Sequence, residues 1–182
     1  MELKKAIFER RTIHLFDSSK VSEEIIEESI IAANQAPCHK LTFPWRFYSI
    51  GKEKRNEILK LAIEIKSEKA LLDEHSLNLL RKKYLNPSHL LIASQVLNID
   101  QVIKKEDYAA CSCAIQNLSL SLVSNGVSTK WSTGSLTNNS KVYQITKIDP
   151  CLEEIIGFIW VGYGENSSKI SRPPLSKIYK NI

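Results

Sequence analysis

Two apolar segments of strand length, residues 89–98 and 154–161, constrain the fold of this chain more than any other feature. Nearly unbroken apolar runs of this kind are typical of strands that are covered on both faces of a sheet. Between them lies a helical pattern that ends at Gly126, a residue type common directly after a helix. The apolar positions that recur at the spacing of one helix face are Tyr108, Cys111, Ala114, Ile115, Leu118 and Leu122. The sequence therefore predicts a buried central helix between two buried strands.

The other predicted elements are short and follow no regular alternation of strand and helix. Ser22 is a good N-cap for a helix that has to stop before Pro37. Periodicity predicts further helices up to residue 10, in two pieces over residues 52–85, and near residues 138–145, with strands at residues 45–50 and 127–131. We expect one α+β domain over residues 1–182, in which helices flank a mixed, mostly antiparallel sheet and residues 165–182 form an extended arm.

Composition and charge narrow the class of protein. The net charge is +5, but the lysines and arginines are interleaved with acids, which favours solvated helix faces over a nucleic-acid surface. A basic balance does suit anionic small ligands. The N-terminus has no apolar core of the kind found in signal peptides, and no apolar run is long enough to span a bilayer. We therefore expect a cytoplasmic protein without a membrane partner.

The four cysteines are expected to be free thiols, because nothing indicates secretion. Cys111 and Cys113 are two residues apart, but no second cysteine pair or histidine pair lies nearby in the sequence. No metal site is predicted.

Three segments carry residue types that bind or react. Arg10-Arg11-Thr12 is suited to hold a phosphate or carboxylate, since arginine donates two parallel hydrogen bonds to such groups. The alternative is that these cations cap the C-terminal end of the first helix. Residues 130–137, KWSTGSLT, form either a turn whose backbone approaches a ligand or an ordinary hydroxyl-rich turn.

The third segment contains Cys38-His39. A nucleophile and its base usually come from distant segments, and no residue that could orient the histidine is evident. Pro37 and Pro44 stiffen this loop and Trp45 anchors it, which favours a rigid ledge for a planar ligand.

Four segments, taken in order, resemble those of the nitroreductase family of FMN-dependent oxidoreductases, and in particular a short bacterial branch of that family. The segments are RRTIHLFD (residues 10–17), APCHKLTFPWRF (36–47), WSTGSLT (131–137) and IIGFIWVG (155–162). The resemblance covers nearly the whole chain. It implies an intertwined homodimer with two FMN sites at the interface, NADH or NADPH as the hydride donor, and a nitroaromatic, quinone or similar acceptor reduced by a ping-pong mechanism. The catalytic chemistry would belong to the flavin rather than to a side chain.

The resemblance also implies site residues. The expected FMN-binding residues are Arg10, Arg11, Thr12, Gln35, His39, Trp131, Ser132, Thr133 and Arg172. The region expected to bind the nicotinamide nucleotide comprises Ser121, Leu122, Val123, Ser124, Asn125 and Gly126, although a buried helix end explains the same residues. Three positions depart from the family pattern: His14 replaces a cation, Phe43 replaces a glutamine and Ser132 replaces an arginine. Each departure removes a hydrogen-bond donor or a positive charge near the flavin. The alternatives are therefore other flavin chemistry on this fold, or a flavin-binding protein without catalytic activity.

Overall fold

The structure, a computed structural model, describes residues 1–164 and 170–182. Its helices and strands are α1 (Leu3–Glu9), α2 (Glu23–Ala33), a 3₁₀ turn (His39–Leu41), β1 (Trp45–Ser49), α3 (Lys52–Ser67), α4 (Glu74–Leu85), β2 (His89–Val96), α5 (Gln101–Ser124), β3 (Ser128–Ser132), α6 (Ser140–Thr146), β4 (Glu153–Gly162) and α7 (Leu175–Ile178).

The four strands form one sheet in the order β1-β2-β4-β3, and each neighbouring pair is antiparallel. Strands β2 and β4 are therefore central, as their apolar sequences predict. The α+β prediction is confirmed. Among residues 1–164 and 170–182, the parallel component is a single bridge between Thr12 and Thr129, outside the named strands.

Helices cover both faces of the sheet. On one face Leu91 and Ala93 pack with α5 and α2, and on the other Leu90 and Ile92 pack with α3, α4 and α6. Because successive strand residues point to opposite faces, a strand covered on both sides must be apolar throughout. The even and odd positions of β2 thus belong to two separate apolar clusters.

The central helix α5 is present, but its predicted buried face was wrong at one position. Tyr108 is 45% exposed, whereas Asp107 is 3% exposed. The carboxylate of Asp107 accepts a hydrogen bond from the Thr42 hydroxyl at 2.5 Å, which explains how a charged residue occupies the buried position. At the other end, Gly126 follows the C-cap residue with φ +73°, a backbone conformation that favours glycine.

The predicted bounds of the second helix can be compared with those of α2. Ser22 is the N-cap residue of α2, as predicted, although its side chain makes no capping bond, and the helix ends well before Pro37.

In the predicted arm, residues 165–169 lie outside the described residues. Residues 170–182 are exposed and contain the single helical turn α7. Within the described residues, no helix combines the length and apolarity needed to cross a bilayer.

Candidate functional site

The arginine segment after α1 is attached to the start of β3. The backbone N–H of Ile13 donates to the carbonyl of Thr129 at 3.2 Å, and Thr12 bridges Thr129 in parallel. These bonds bring Arg10-Arg11-Thr12 next to the strand that carries Trp131 and Ser132. Two of the segments expected to bind FMN, far apart in sequence, are therefore neighbours in the fold.

Three arginines converge near this junction, and we call Arg10, Arg11 and Arg172 the arginine group. Burial lowers the pKa of Arg10, and repulsion by Arg172 and then by Arg11 lowers it further. No acidic side chain among the described residues forms an ion pair with any of the three. Like charges held together without an acid are stabilised when an anion binds between them.

Within this group Arg11 has a local role as well. Its Nη1 donates to the carbonyl of Phe8 at 2.6 Å and to that of Arg10 at 2.8 Å. The carbonyl of Phe8 is at the C-terminal end of α1, so Arg11 caps the helix, as the alternative interpretation of the motif predicts. Arg10 is thus the better placed of the two to bind an external anion.

The second predicted FMN segment sits on an irregular part of the sheet. Between β2 and β4 the register shifts at Ala93 and Ser94, so that Ile156 is an extra residue in β4. The carbonyl of Ile156 accepts a hydrogen bond from Trp131 Nε1 at 3.2 Å. A Cβ on Gly157 would lie 2.0 Å from that same nitrogen, so the indole occupies space that only glycine leaves open.

Ser132 and Thr133 continue from Trp131 into a tight turn. The Ser132 hydroxyl accepts from Trp160 Nε1 at 2.8 Å, whereas Thr133 is exposed. Gly134 has φ +141°, and both the N–H and the hydroxyl of Thr137 donate to its carbonyl. The segment therefore has the internal bonds of a hydroxyl-rich turn, and it also presents Thr133 to solvent at the site.

A cavity of about 180 Å³ opens beside this turn. Its walls are formed by aromatic side chains, small hydroxyl residues and two lysines, among them Lys66, Lys83, Tyr84, Thr133, Phe158 and Trp160.

Three lysines lie in or beside the cavity, and we call Lys66, Lys83 and Lys130 the lysine group. Burial lowers the pKa of Lys83, and repulsion by Lys130 and Lys66 adds to the effect. Burial also lowers the pKa of Lys130, whose Nζ lies 3.1 Å from His14 Nδ1. Position 14, where relatives carry a cation, is thus next to a lysine from β3.

Cys38 and His39 do not form a catalytic pair. Cys38 Sγ accepts from the Phe43 N–H at 3.2 Å and contacts the Thr42 hydroxyl at 3.2 Å. His39 Nε2 instead lies 3.8 Å from Glu106 Oε2, on the exposed side of the loop. Their arrangement favours the ledge interpretation over the nucleophile interpretation.

The same loop is held in an unusual conformation. Lys40, Leu41 and Phe43 have positive φ, and Trp45 Nε1 donates to Asn34 Oδ1 at 3.1 Å, which ties the loop to α2. Gln35 and His39 are both exposed. In the described part of the chain, no hydrogen bond or ion pair connects either residue to the arginine group or to residues 131–133.

Residues 121–126 form the C-terminal end of α5. Leu122 is fully buried, and the carbonyl of Ser121 accepts from the side chains of Ser124 and Asn125. The Ser29 hydroxyl donates to the Ser121 hydroxyl at 3.2 Å, across the contact with α2. A helix end packed against α2 explains these bonds, and nucleotide binding by this segment stays a prediction.

Sequence reasoning missed Lys66, Lys83 and Gly157 as residues of the site, and it included Lys130 only as the first residue of the segment 130–137. The lysines come from three elements, and each looks like an ordinary surface lysine in its own segment. A glycine within the apolar residues 153–162 was the available signal for Gly157, because glycine in a strand indicates a bulge or a close approach.

Comparisons with known proteins identify the family and the fold of this chain. A model of the Nitroreductase family matches residues 7–163. YfhC of Bacillus subtilis, by name a candidate NAD(P)H nitroreductase, is 28% identical over 173 residues, which cover 93% of this chain and 88% of YfhC.

Two solved structures show the same fold. A nitroreductase-like family protein from Bacillus cereus superposes with a TM-score of 0.85 at 22% identity, over 100% of this chain and 96% of that one. The FMN-dependent nitroreductase NfnB from Mycobacterium smegmatis, solved in complex with NADPH, superposes with a TM-score of 0.81 at 14% identity, over 98% and 97% of the two chains.

Proposed function

Because this chain belongs to the nitroreductase family, we propose that it is an FMN-dependent oxidoreductase that takes hydride from NADH or NADPH and reduces electron-poor acceptors such as nitroaromatics or quinones. The observation that carries the proposal is the arginine group beside residues 131–133. Arg10 and Arg172 repel each other at the junction of α1 and β3, and a phosphate there would relieve that repulsion.

The residues present fit FMN. Arg10 and Arg172, with Thr12 between α1 and β3, are suited to a phosphate, and Arg11 contributes charge while capping α1. Trp131, Ser132 and Thr133 would lie along the ring system. FMN, when bound, supplies the acceptance of hydride and the delivery of electrons. The chain's own residues position the ring and keep water from it, and solvent can provide the protons.

The proposed site uses two copies of the chain. Gln35 and His39 are exposed, and among the described residues no hydrogen bond or ion pair connects them to the arginine group or to residues 131–133. In this proposal they therefore reach the flavin of a second copy. A two-fold axis would then complete two identical sites at once. Exposed apolar side chains on α1 and on the C-terminal residues, including Phe8, Leu175 and Ile178, suit burial in such an interface.

The nicotinamide nucleotide and the acceptor would use the same open face of the flavin in turn, which gives ping-pong kinetics. Residues 121–126 remain a proposed part of the nucleotide site. A cytoplasmic location is likewise part of the proposal, and four free cysteines suit a reducing compartment.

The decisive experiment is an anaerobic titration of the purified protein with NADH and, separately, with NADPH. We expect a yellow protein whose flavin absorbance bleaches with one equivalent of the preferred nucleotide and returns on addition of a nitroaromatic or quinone. Flavin that stays oxidised with both nucleotides would support the non-catalytic flavin-binding alternative. A colourless protein that cannot be reconstituted with FMN would contradict the proposal.

The dimer has its own test in light scattering. We expect a stable homodimer, and a monomer that retains FMN at full occupancy would contradict the shared site. Gln35→Ala should weaken FMN binding if the residue reaches the flavin of the partner. Gln144→Ala, at an exposed glutamine on α6, is the matched control.

A further inference from the structure

The cavity beside residues 132–137 has the size of one aromatic ring. It measures about 180 Å³. In another protein an engineered cavity of about 150 Å³ holds benzene, whereas pockets for drug-sized ligands begin at about 300 Å³. A single substituted ring therefore fits within the cavity of one protomer, and the three-ring system of a flavin does not.

The walls suit an aromatic ligand. Tyr84 and Trp160 meet edge to face with centroids 5.0 Å apart, and Phe158 stacks on Trp160 at 6.3 Å. Aromatic rings gain additional attraction from such arrangements beyond the burial of apolar surface.

The lysine group places positive charge at the same cavity. Lys66 comes from α3 and Lys83 from α4, and both line the cavity. Lys130 pairs directly with Trp160 across β3 and β4, so the two side chains leave the sheet on the same face. No acidic residue in the described part of the chain forms an ion pair with any of these lysines.

We propose that this cavity binds a single-ring aromatic acid, with the ring against Tyr84 and Trp160 and the anionic substituent on Lys66 and Lys83. On the proposed function, which this step rests on, such acids are the preferred electron acceptors. For a nitroaromatic acid, the nitro group takes two electrons from the reduced flavin and two protons from solvent, giving the nitroso product and water. Thr133, which lines the cavity and belongs to the expected FMN segment, connects the two sites.

The test compares 4-nitrobenzoate with its neutral analogue 4-nitrobenzamide, first in binding and then in turnover. Binding of each compound to the protein as purified is measured calorimetrically for the wild type, Lys66→Met and Lys83→Met. Methionine retains the apolar stem of lysine and removes the charge. Lys60→Met on α3 and Lys82→Met on α4, both at exposed positions outside the cavity, are the matched controls.

We expect the dissociation constant of 4-nitrobenzoate to rise about tenfold in Lys66→Met and in Lys83→Met, and that of 4-nitrobenzamide to change less than about twofold. The control variants should resemble the wild type for both compounds. In turnover, kcat/KM should show the same loss of preference for the acid. Thermal unfolding of every variant checks that the fold is retained.

Two results would overturn the inference. One is a wild type that binds the acid and the amide equally. The other is a pair of lysine variants that lower the reduction potential of the flavin and slow both acceptors alike, which would mean that the lysines face the flavin. If neither compound is reduced but charge-selective binding is present, the anion site stands and the proposed oxidoreductase function fails.

Discussion

The arginine group and the lysine group are two clusters of like charge, and they differ in what surrounds the charge. Arg10, Arg11 and Arg172 lie near the junction of α1 and β3. Lys66 and Lys83 line a cavity walled by aromatic rings. A planar guanidinium binds two oxygens of one phosphate, whereas an ammonium is a compact charge that suits one end of an apolar ring. The protein can thus distinguish a phosphate from an aromatic acid by the type of cation and by the polarity of the surrounding side chains.

The largest effect is expected from Arg10→Ala. If Arg10 binds the flavin phosphate, the dissociation constant of FMN should rise about ten- to a hundredfold, while that of riboflavin, which has no phosphate, should stay within about twofold. Fluorescence titration of the apoprotein with both flavins measures this. Arg10→Lys should give an intermediate value, because it retains charge without the two-pronged geometry.

The control for that variant is Arg81→Ala. Arg81 is an exposed arginine on α4 that already donates to Glu74 Oε1 at 2.8 Å. If Arg10→Ala and Arg81→Ala discriminate between FMN and riboflavin as the wild type does, the arginine group does not bind the phosphate.

A change of pH should affect ligand binding by the lysine group and ligand binding by the arginine group differently. Burial and like charges lower the pKa of Lys83 below its ordinary 10.5, so Lys83 loses its proton at a lower pH than an ordinary lysine does. Affinity for 4-nitrobenzoate should therefore fall as the pH rises through the alkaline range below the ordinary lysine pKa, whereas FMN affinity should hold because arginine stays protonated. An equal fall in affinity for both ligands would contradict the assignment of the two anions to two different cation groups.

The same shift has a consequence for stability. With an ordinary lysine pKa, Lys83 holds its proton to a higher pH in the unfolded chain than in the folded one, so Lys83 makes the free energy of unfolding rise with pH between the two pKa values. Lys83→Met should flatten that rise, which urea unfolding at each pH would detect.

Arg11→Ala tests whether helix capping and phosphate binding are carried out by different residues of the arginine group. Because Arg11 caps α1 through the carbonyls of Phe8 and Arg10, its loss should lower the free energy of unfolding by about 0.5–1 kcal/mol. Discrimination between FMN and riboflavin should fall less than in Arg10→Ala. Equal losses of discrimination in the two variants would show that capping and phosphate binding are not divided between them.

The smallest effect is expected from Cys38→Ala. The thiol accepts from the Phe43 N–H and, in this proposal, does no chemistry, so flavin binding and reductase activity should stay within about twofold of the wild type. Cys113→Ala, at an exposed position on α5, is the matched control. A loss of several orders of magnitude with flavin still bound would mean that Cys38 is a nucleophile.

Most elements of the fold could be predicted from the sequence. The unbroken apolar runs around residues 89–98 and 154–161 correspond to β2 and β4, and the aromatic alternation at 45–50 corresponds to β1. Tyr108 shows where this reasoning fails. Periodicity alone cannot tell which of two neighbouring helix residues faces the core, and only the contact with Thr42 explains why Asp107 does.

The candidate site could be predicted only in part. The segments at residues 10–12 and 131–133 were recognisable as motifs, and the structure places them side by side. Whether Gln35, His39 and Arg172 contact a flavin stays a prediction. The grouping of the lysines could not be predicted, because no local pattern distinguishes Lys66 or Lys83 from other lysines on amphipathic helices.

Periodicity, caps and turn residues depend on neighbours along the chain, and this is why the sequence by itself determined the helices, the central strands and the turn at Gly126. The order β1-β2-β4-β3 and the register that sets Lys130 opposite Trp160 depend on contacts between distant segments. Only the tertiary structure decided that Lys66 and Lys83, from two helices, line one aromatic cavity. Electrostatic interaction depends on distance in space, so a cluster of cations exists only once the elements that carry it have packed together.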